Sequence, residues 1–220
     1  MKSKQWGKIT NFTLSIIIAA FTLRYFHNFI EKSEDGLAWK TSFRPRHVLP
    51  HCIIIGEAKC GTYALKKMLS EFYPNIRAKE NESHYFSRGY SHRTIEQYKK
   101  TLPLMQDPDD IVMEGTPNYF RFPEVAERIF KAVPNAKFIL ILCDPIKHTI
   151  SWSLTNAIPL PDNMTIDQYL IDKTGELKNT HSQLIQMSLY AMQISRWFRI
   201  FSREQILILD GQQLISDPVS

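Results

Sequence analysis

Glycine is scarce in this chain, 8 among 220 residues, which excludes collagen-like and glycine-rich low-complexity architectures. Cysteine is scarcer: Cys52, Cys60 and Cys143 are too few, and odd in number, for a disulfide-built scaffold. Neither a C-x-x-C pair nor a Cys/His spacing suggests zinc, so no metal is expected and the thiols read first as buried or loop side chains. No repeat of solenoid or propeller period is found. An unbroken apolar run of about 20 residues, the usual length of a spanning helix, is also missing. What the chain does have is core material. Hydrophobic residues make up 44% and aromatic residues 12%, with 13 Phe and 9 Tyr. Lysine and arginine outnumber acidic residues by 27 to 22. A basic balance favours polyanionic partners (nucleic acid, membrane surface or acidic glycan) without choosing among them.

The amino terminus bears on the compartment. Lys2, Lys4 and Lys8 precede the apolar stretch Ile9–Leu23, and Tyr25, Phe26, Phe29 and Ile30 follow Arg24. Basic residues before the run and mixed charge after it suit a signal anchor over residues 9–30, with residues 1–8 in the cytoplasm and 31–49 as a stem. A cleaved signal peptide and a buried helix are the other readings. A luminal body makes Asn163-Met164-Thr165 a plausible glycan acceptor. Asn81-Glu82-Ser83 also matches, and Asn11-Phe12-Thr13 falls in or before the anchor.

From Pro50 onward short apolar runs alternate with helical patterns. Strands are expected at 52–56, 111–113, 137–142 and 206–209. Helices are expected at 62–72, 123–133, 145–154, 166–173 and 182–201, the last placing Trp197 and Phe201 in the core. This order predicts an α/β domain with a parallel sheet flanked by helices, whose ligands sit beyond the carboxyl ends of the strands. Gly56-Glu57-Ala58-Lys59-Cys60-Gly61-Thr62 links the first such strand to a helix. Several backbone N–H groups and a positive helix terminus there form a P-loop-like anion site. Its lysine precedes Gly-Thr, whereas a Walker loop has Gly-Lys-Ser/Thr, which argues against an ATP-splitting kinase.

IIIGEAKCGTYAL at 53–65 resembles the phosphosulfate-binding loop of sulfotransferases that use 3′-phosphoadenosine 5′-phosphosulfate (PAPS). The best match is the heparan sulfate glucosamine 3-O-sulfotransferase group. ENESHYF at 80–86, MEGTPNYF at 113–120, LCDPIKHTIS at 142–151, SLYAMQISRWFRIF at 188–201 and ILILDGQQLISDP at 206–218 follow in the family's order. The resemblance covers the whole body and implies a Golgi, single-pass type II glycoprotein with a luminal sulfotransferase domain at 50–220, incomplete at its carboxyl end. It implies heparan sulfate or a related acidic glycan as acceptor, with no nucleic acid partner.

Residue by residue, the resemblance implies Glu82 as general base, His84 supporting it, and Lys59 stabilising the leaving 5′-phosphate with the backbone N–H groups of Cys60, Gly61 and Thr62. Tyr63 and Ser151 complete the donor site, Ser151 at the 3′-phosphate. Arg88, His92, Arg93, Lys99 and Lys100 form the densest basic cluster for an acceptor, and equally the solvated face of a short helix. Four positions depart from the family's pattern: Gly115 where a lysine is usual, Cys143 where an arginine is usual, Ser87 for an acidic residue and Cys60 for a glycine. A catalytically degenerate relative that binds glycan without transfer is therefore the alternative. Cys60 and Cys143 both fall at carboxyl ends of predicted strands, and one further expectation is that they pair in an oxidising lumen and block the loop.

Overall fold

The structure is a computed structural model that describes residues 43–155, 160–161 and 164–216. The anchor, the tail, part of the stem, and Asn11 and Asn163 lie outside these residues. Among the described residues no helix is long and apolar enough to cross a membrane.

Strand β1 (Arg46–His47) is followed by β2 (Cys52–Gly56), α1 (Thr62–Phe72), β3 (Ile76–Ala78) and α2 (Ile95–Lys100). Next come β4 (Leu104–Met105), β5 (Ile111–Gly115), α3 (Val125–Ala132), β6 (Lys137–Leu142) and α4 (Pro145–Ser153). The chain continues through α5 (Ile166–Leu170), α6 (Gln183–Met187), α7 (Tyr190–Phe198), β7 (Ile206–Asp210) and α8 (Gly211–Ser216). Five strands form one parallel sheet in the order β3-β5-β2-β6-β7. β1 and β4 pair antiparallel as a separate ribbon, which brings residues expected in the stem into contact with the domain.

Side-chain alternation distributes the core. On one face Ile53, Ile55, Val112, Phe138 and Leu140 pack with Val125, Ile129, Trp197 and Phe201. On the other Cys52, Ile54, Met113, Ile139 and Ile141 pack with Leu65 and Leu69 of α1. All five residues of β2 are buried, as a strand covered on both faces must be. Trp197 and Phe201 are core residues as expected, and the Trp197 indole donates to the Phe120 carbonyl at 3.1 Å.

The sequence pattern misses β3, too short to show a period, together with the β1–β4 ribbon and α2. It also runs residues 182–201 into one helix where there are two. At the break the Ser188 hydroxyl is held from α4, by His148 at 2.9 Å and Thr149 at 2.8 Å, and Leu189 leaves the helical region.

Candidate active site

The carboxyl ends of β5, β2 and β6 lie side by side at the middle of the sheet, where the chain order reverses, the usual place for a ligand in such a fold. The loop after β2 fills that point. Lys59 and Gly61 adopt left-handed backbone, φ 71° and 95°. They wind the chain into α1 with the exposed Lys59 beside the positive end of the helix. A Cβ built on Gly61 meets nothing within 4 Å, so open space lies over the loop. The first turn of α1 leaves its backbone N–H groups without intrahelical acceptors, and Gly61 offers no side-chain cap. These features fit a phosphate group. The Cys60 amide is a correction: it donates to the Glu57 carbonyl at 3.1 Å and is committed to the turn.

The expected pairing of Cys60 is present. Cys60 is joined to Cys143 by a disulfide whose Cα atoms are 5.5 Å apart, leaving Cys52 as the free cysteine, buried in the core. The bond ties the loop to the end of β6 while Lys59 stays exposed and the space over Gly61 stays open.

Below the loop lies a polar cluster that no motif announced. Glu57 is fully buried, accepts the Ala58 N–H at 3.0 Å and stands 3.7 Å from His148 Nε2. The Trp152 indole N–H lies 3.0 Å from that nitrogen, and the other ring nitrogen, Nδ1, is 2.9 Å from Ser188 Oγ. His148 Nε2 also approaches the loop carbonyl of Ala58 to 3.0 Å. The Arg121 guanidinium stacks over Trp152 at 5.5 Å; burial lowers its pKa and the charge of Glu57 opposes that shift. Ser151 is half-buried on α4, three residues past His148 and so on the helix face that meets the loop.

On the β5 side an open cleft of about 180 Å³ is lined by Thr62, Tyr63, Lys66, Glu80, Asn81, Glu82, Gly115 and Pro117. Glu82 Oε2 is 3.2 Å from His84 Nε2. Their loop is strapped down from beneath. Thr116 Oγ1 accepts the Ser83 amide at 3.2 Å, Ser83 Oγ meets the Tyr119 hydroxyl at 2.9 Å, and Arg93 donates to the Ser83 carbonyl at 2.7 Å. Desolvation raises the Glu82 pKa, with Lys66 and Arg88 pulling it back. Desolvation lowers that of His84, reinforced by Arg88, Arg93 and Arg121. A neutral imidazole donating to a carboxylate is the arrangement that results.

The basic cluster divides. Arg93 serves the loop and lies over Tyr85, and Lys99 pairs with Glu96 at 2.9 Å, whereas Arg88, His92 and Lys100 are exposed. Among the described residues no group of three or more His, Cys, Asp or Glu is placed to hold a metal ion.

The sulfotransferase domain family matches residues 49–220. The chain belongs to the sulfotransferase family. The chain is 35% identical over 171 residues to heparan sulfate glucosamine 3-O-sulfotransferase 3B1 of Homo sapiens, covering 77% of the chain and 43% of that relative. It is 33% identical over 178 residues to 3-O-sulfotransferase 5 of Mus musculus, covering 78% and 50%. A bifunctional heparan sulfate N-deacetylase/N-sulfotransferase 4 of Mus musculus is 33% identical over 185 residues, covering 78% and 21%. The chain thus spans half or less of the length of these curated relatives. Its fold matches a sulfotransferase from Alicyclobacillus acidocaldarius with a TM-score of 0.63 at 22% identity, covering 78% of this chain and 76% of that one.

Proposed function

We propose that the chain transfers a sulfuryl group from PAPS to a hydroxyl of a glycosaminoglycan, the 3-O position of a heparan sulfate glucosamine being the favoured acceptor. The observation that carries this reading is the meeting of an anion loop and a carboxylate–imidazole pair: Thr62 and Tyr63, at the loop's exit into α1, line the same cleft as Glu82. PAPS supplies an activated sulfate whose transfer needs in-line attack and charge stabilisation at the departing phosphate. Lys59, the first-turn amides of α1 and the Thr62 hydroxyl hold that phosphate, and Ser151 holds the 3′-phosphate from α4. Glu82 takes the acceptor hydroxyl's proton, with His84 orienting the carboxylate, while Tyr63, 67% exposed, offers its ring at the rim. The Golgi membrane location and type II anchoring are part of the same proposal and rest on the amino-terminal run.

One observation favours the alternative, glycan binding without transfer: position 143 holds a disulfide sulfur and position 115 a glycine, so neither adds a cation. Calorimetric titration with 3′-phosphoadenosine 5′-phosphate separates the two. Binding that prefers the bisphosphate to ATP and is lost in Lys59→Ala supports the donor site. A folded protein that binds heparan sulfate and ignores the bisphosphate gives the lead to the alternative.

A further inference from the structure

One wall of the cleft is a side chain that no motif requires. α1 turns Thr62, Leu65, Lys66 and Leu69 inward, so a lysine stands in a row otherwise suited to the core. Lys66 is only 6% exposed. Its ammonium donates to the Glu80 carbonyl at 2.6 Å and faces the Tyr63 ring at 5.8 Å, at the edge of the cleft that Glu82 also lines. The stem of the side chain lies over Gly115. A Cβ at position 115 would stand 3.3 Å from Lys66 Cδ and 3.4 Å from Ile54 Cβ, so the glycine leaves the room that the lysine occupies. Strand register explains the meeting: Gly115 pairs with Ile54, and both face α1.

An ammonium this far from water needs opposing charge. Burial lowers the Lys66 pKa, and the charge of Glu82 is the first to oppose that shift. Around Glu82 the groups are Lys66 on α1, Arg88 in the following turn and His84 at 3.2 Å. Arg88 is exposed and screened by solvent, and neutral His84 contributes a hydrogen bond rather than a charge. Lys66 is the fixed cation of the set.

We propose that Lys66 is a positioning residue: its buried charge, in the wall of the cleft that Glu82 also lines, keeps the Glu82 carboxylate ionised for proton abstraction from an acceptor hydroxyl. The proposal rests on the reading of Glu82 as the base. In the step it serves, the hydroxyl proton passes to Glu82 as the acceptor oxygen bonds to sulfur and the bond from sulfur to the phosphate oxygen breaks.

The test uses the full 220-residue chain. The Glu82 carboxyl carbon is titrated by NMR, its resonance identified by loss in Glu82→Gln, in the wild type, Lys66→Met and Lys66→Arg. In Lys66→Met the Glu82 midpoint moves to higher pH, and sulfate transfer from PAPS to heparan sulfate falls about 10²-fold at neutral pH. Affinity for 3′-phosphoadenosine 5′-phosphate stays within about twofold, since the Lys66 ammonium is held by the Glu80 carbonyl. Lys66→Arg restores the midpoint and most of the rate. A midpoint that does not move in Lys66→Met, or that arginine does not restore, overturns the proposal even if turnover falls. A wild type that shows the midpoint shift yet transfers no sulfate overturns the functional reading above, and the role of Lys66 in turnover with it.

Discussion

At the scale of single residues, the site depends on a carboxylate whose charge is costly to keep. Desolvation raises the Glu82 pKa above the 4.5 of an ordinary glutamate, and a base must be ionised to accept a proton. The acid limb of kcat/KM is therefore expected to lie above that value, activity rising with pH through it. Desolvation lowers the His84 pKa from 6.5, so His84 is expected to add no second acid limb above that value. Glu82→Gln keeps the shape and the bond to His84 but cannot take the proton. Transfer is expected to drop about 10²- to 10⁴-fold, with bisphosphate binding intact. Wild-type turnover by the glutamine variant would remove Glu82 from the mechanism. Lys66 shows why such a site is only half legible in a sequence. The ENESH run carries the proposed base openly, whereas the lysine that lines the same cleft is visible only at i+4 from Thr62 in a helix read for its apolar residues.

At the scale of elements, β5 sorts its side chains strictly. Met113 and Gly115 face α1, and Glu114 turns into the opposite core, fully buried below the hydroxyls of Ser83, Tyr98 and Tyr119. Burial raises the Glu114 pKa and those hydroxyls draw it partly back. The folded protein therefore holds its proton at pH values where the unfolded chain has already released it. Stability from this group is fully present below the unfolded value of 4.5 and is lost as pH rises through the raised folded value. Glu114→Gln should flatten that part of the Tm-against-pH curve and raise Tm at neutral pH; thermal melts from pH 4 to 8 check it, and an unchanged slope would clear Glu114 of the effect. The buried strands β2, β5 and β6 were plain in the sequence because a strand covered on both faces is a continuous apolar run, and the edge strand β7 showed as ILIL although its carboxyl half is partly exposed. β3 has three residues and its Arg77 is paired with Asp110 at 3.1 Å, so neither length nor polarity marks it as a strand. The break between α6 and α7 was hidden for a different reason: the Ser188 hydroxyl there is held from another helix, and no local pattern encodes a partner 40 residues away.

At the scale of the whole molecule, the Cys60–Cys143 bond closes a span of 83 residues between neighbouring strand ends. A closure of this length is worth about 2–4 kcal/mol, chiefly by restricting the unfolded chain. Thiol counting under denaturing conditions should give one thiol before reduction and three after, and the reduced protein should unfold at lower denaturant. Three thiols in the unreduced protein would show the bond is not formed. The expectation that the pair might form was readable from strand ends alone; that the loop would remain open while bonded was not, because it depends on the left-handed turn at Lys59 and Gly61. Trp152 has a practical consequence for anyone working with this protein. Its indole is hydrogen-bonded to His148, which touches the loop carbonyl of Ala58, and Arg121 lies over its ring. Indole emission responds to just such hydrogen bonds and nearby charges, whereas the other described tryptophan, Trp197, is sealed in the core. The proposed phosphate loop therefore sits beside a built-in fluorophore, and a ligand that binds there can be followed by light without attaching a dye.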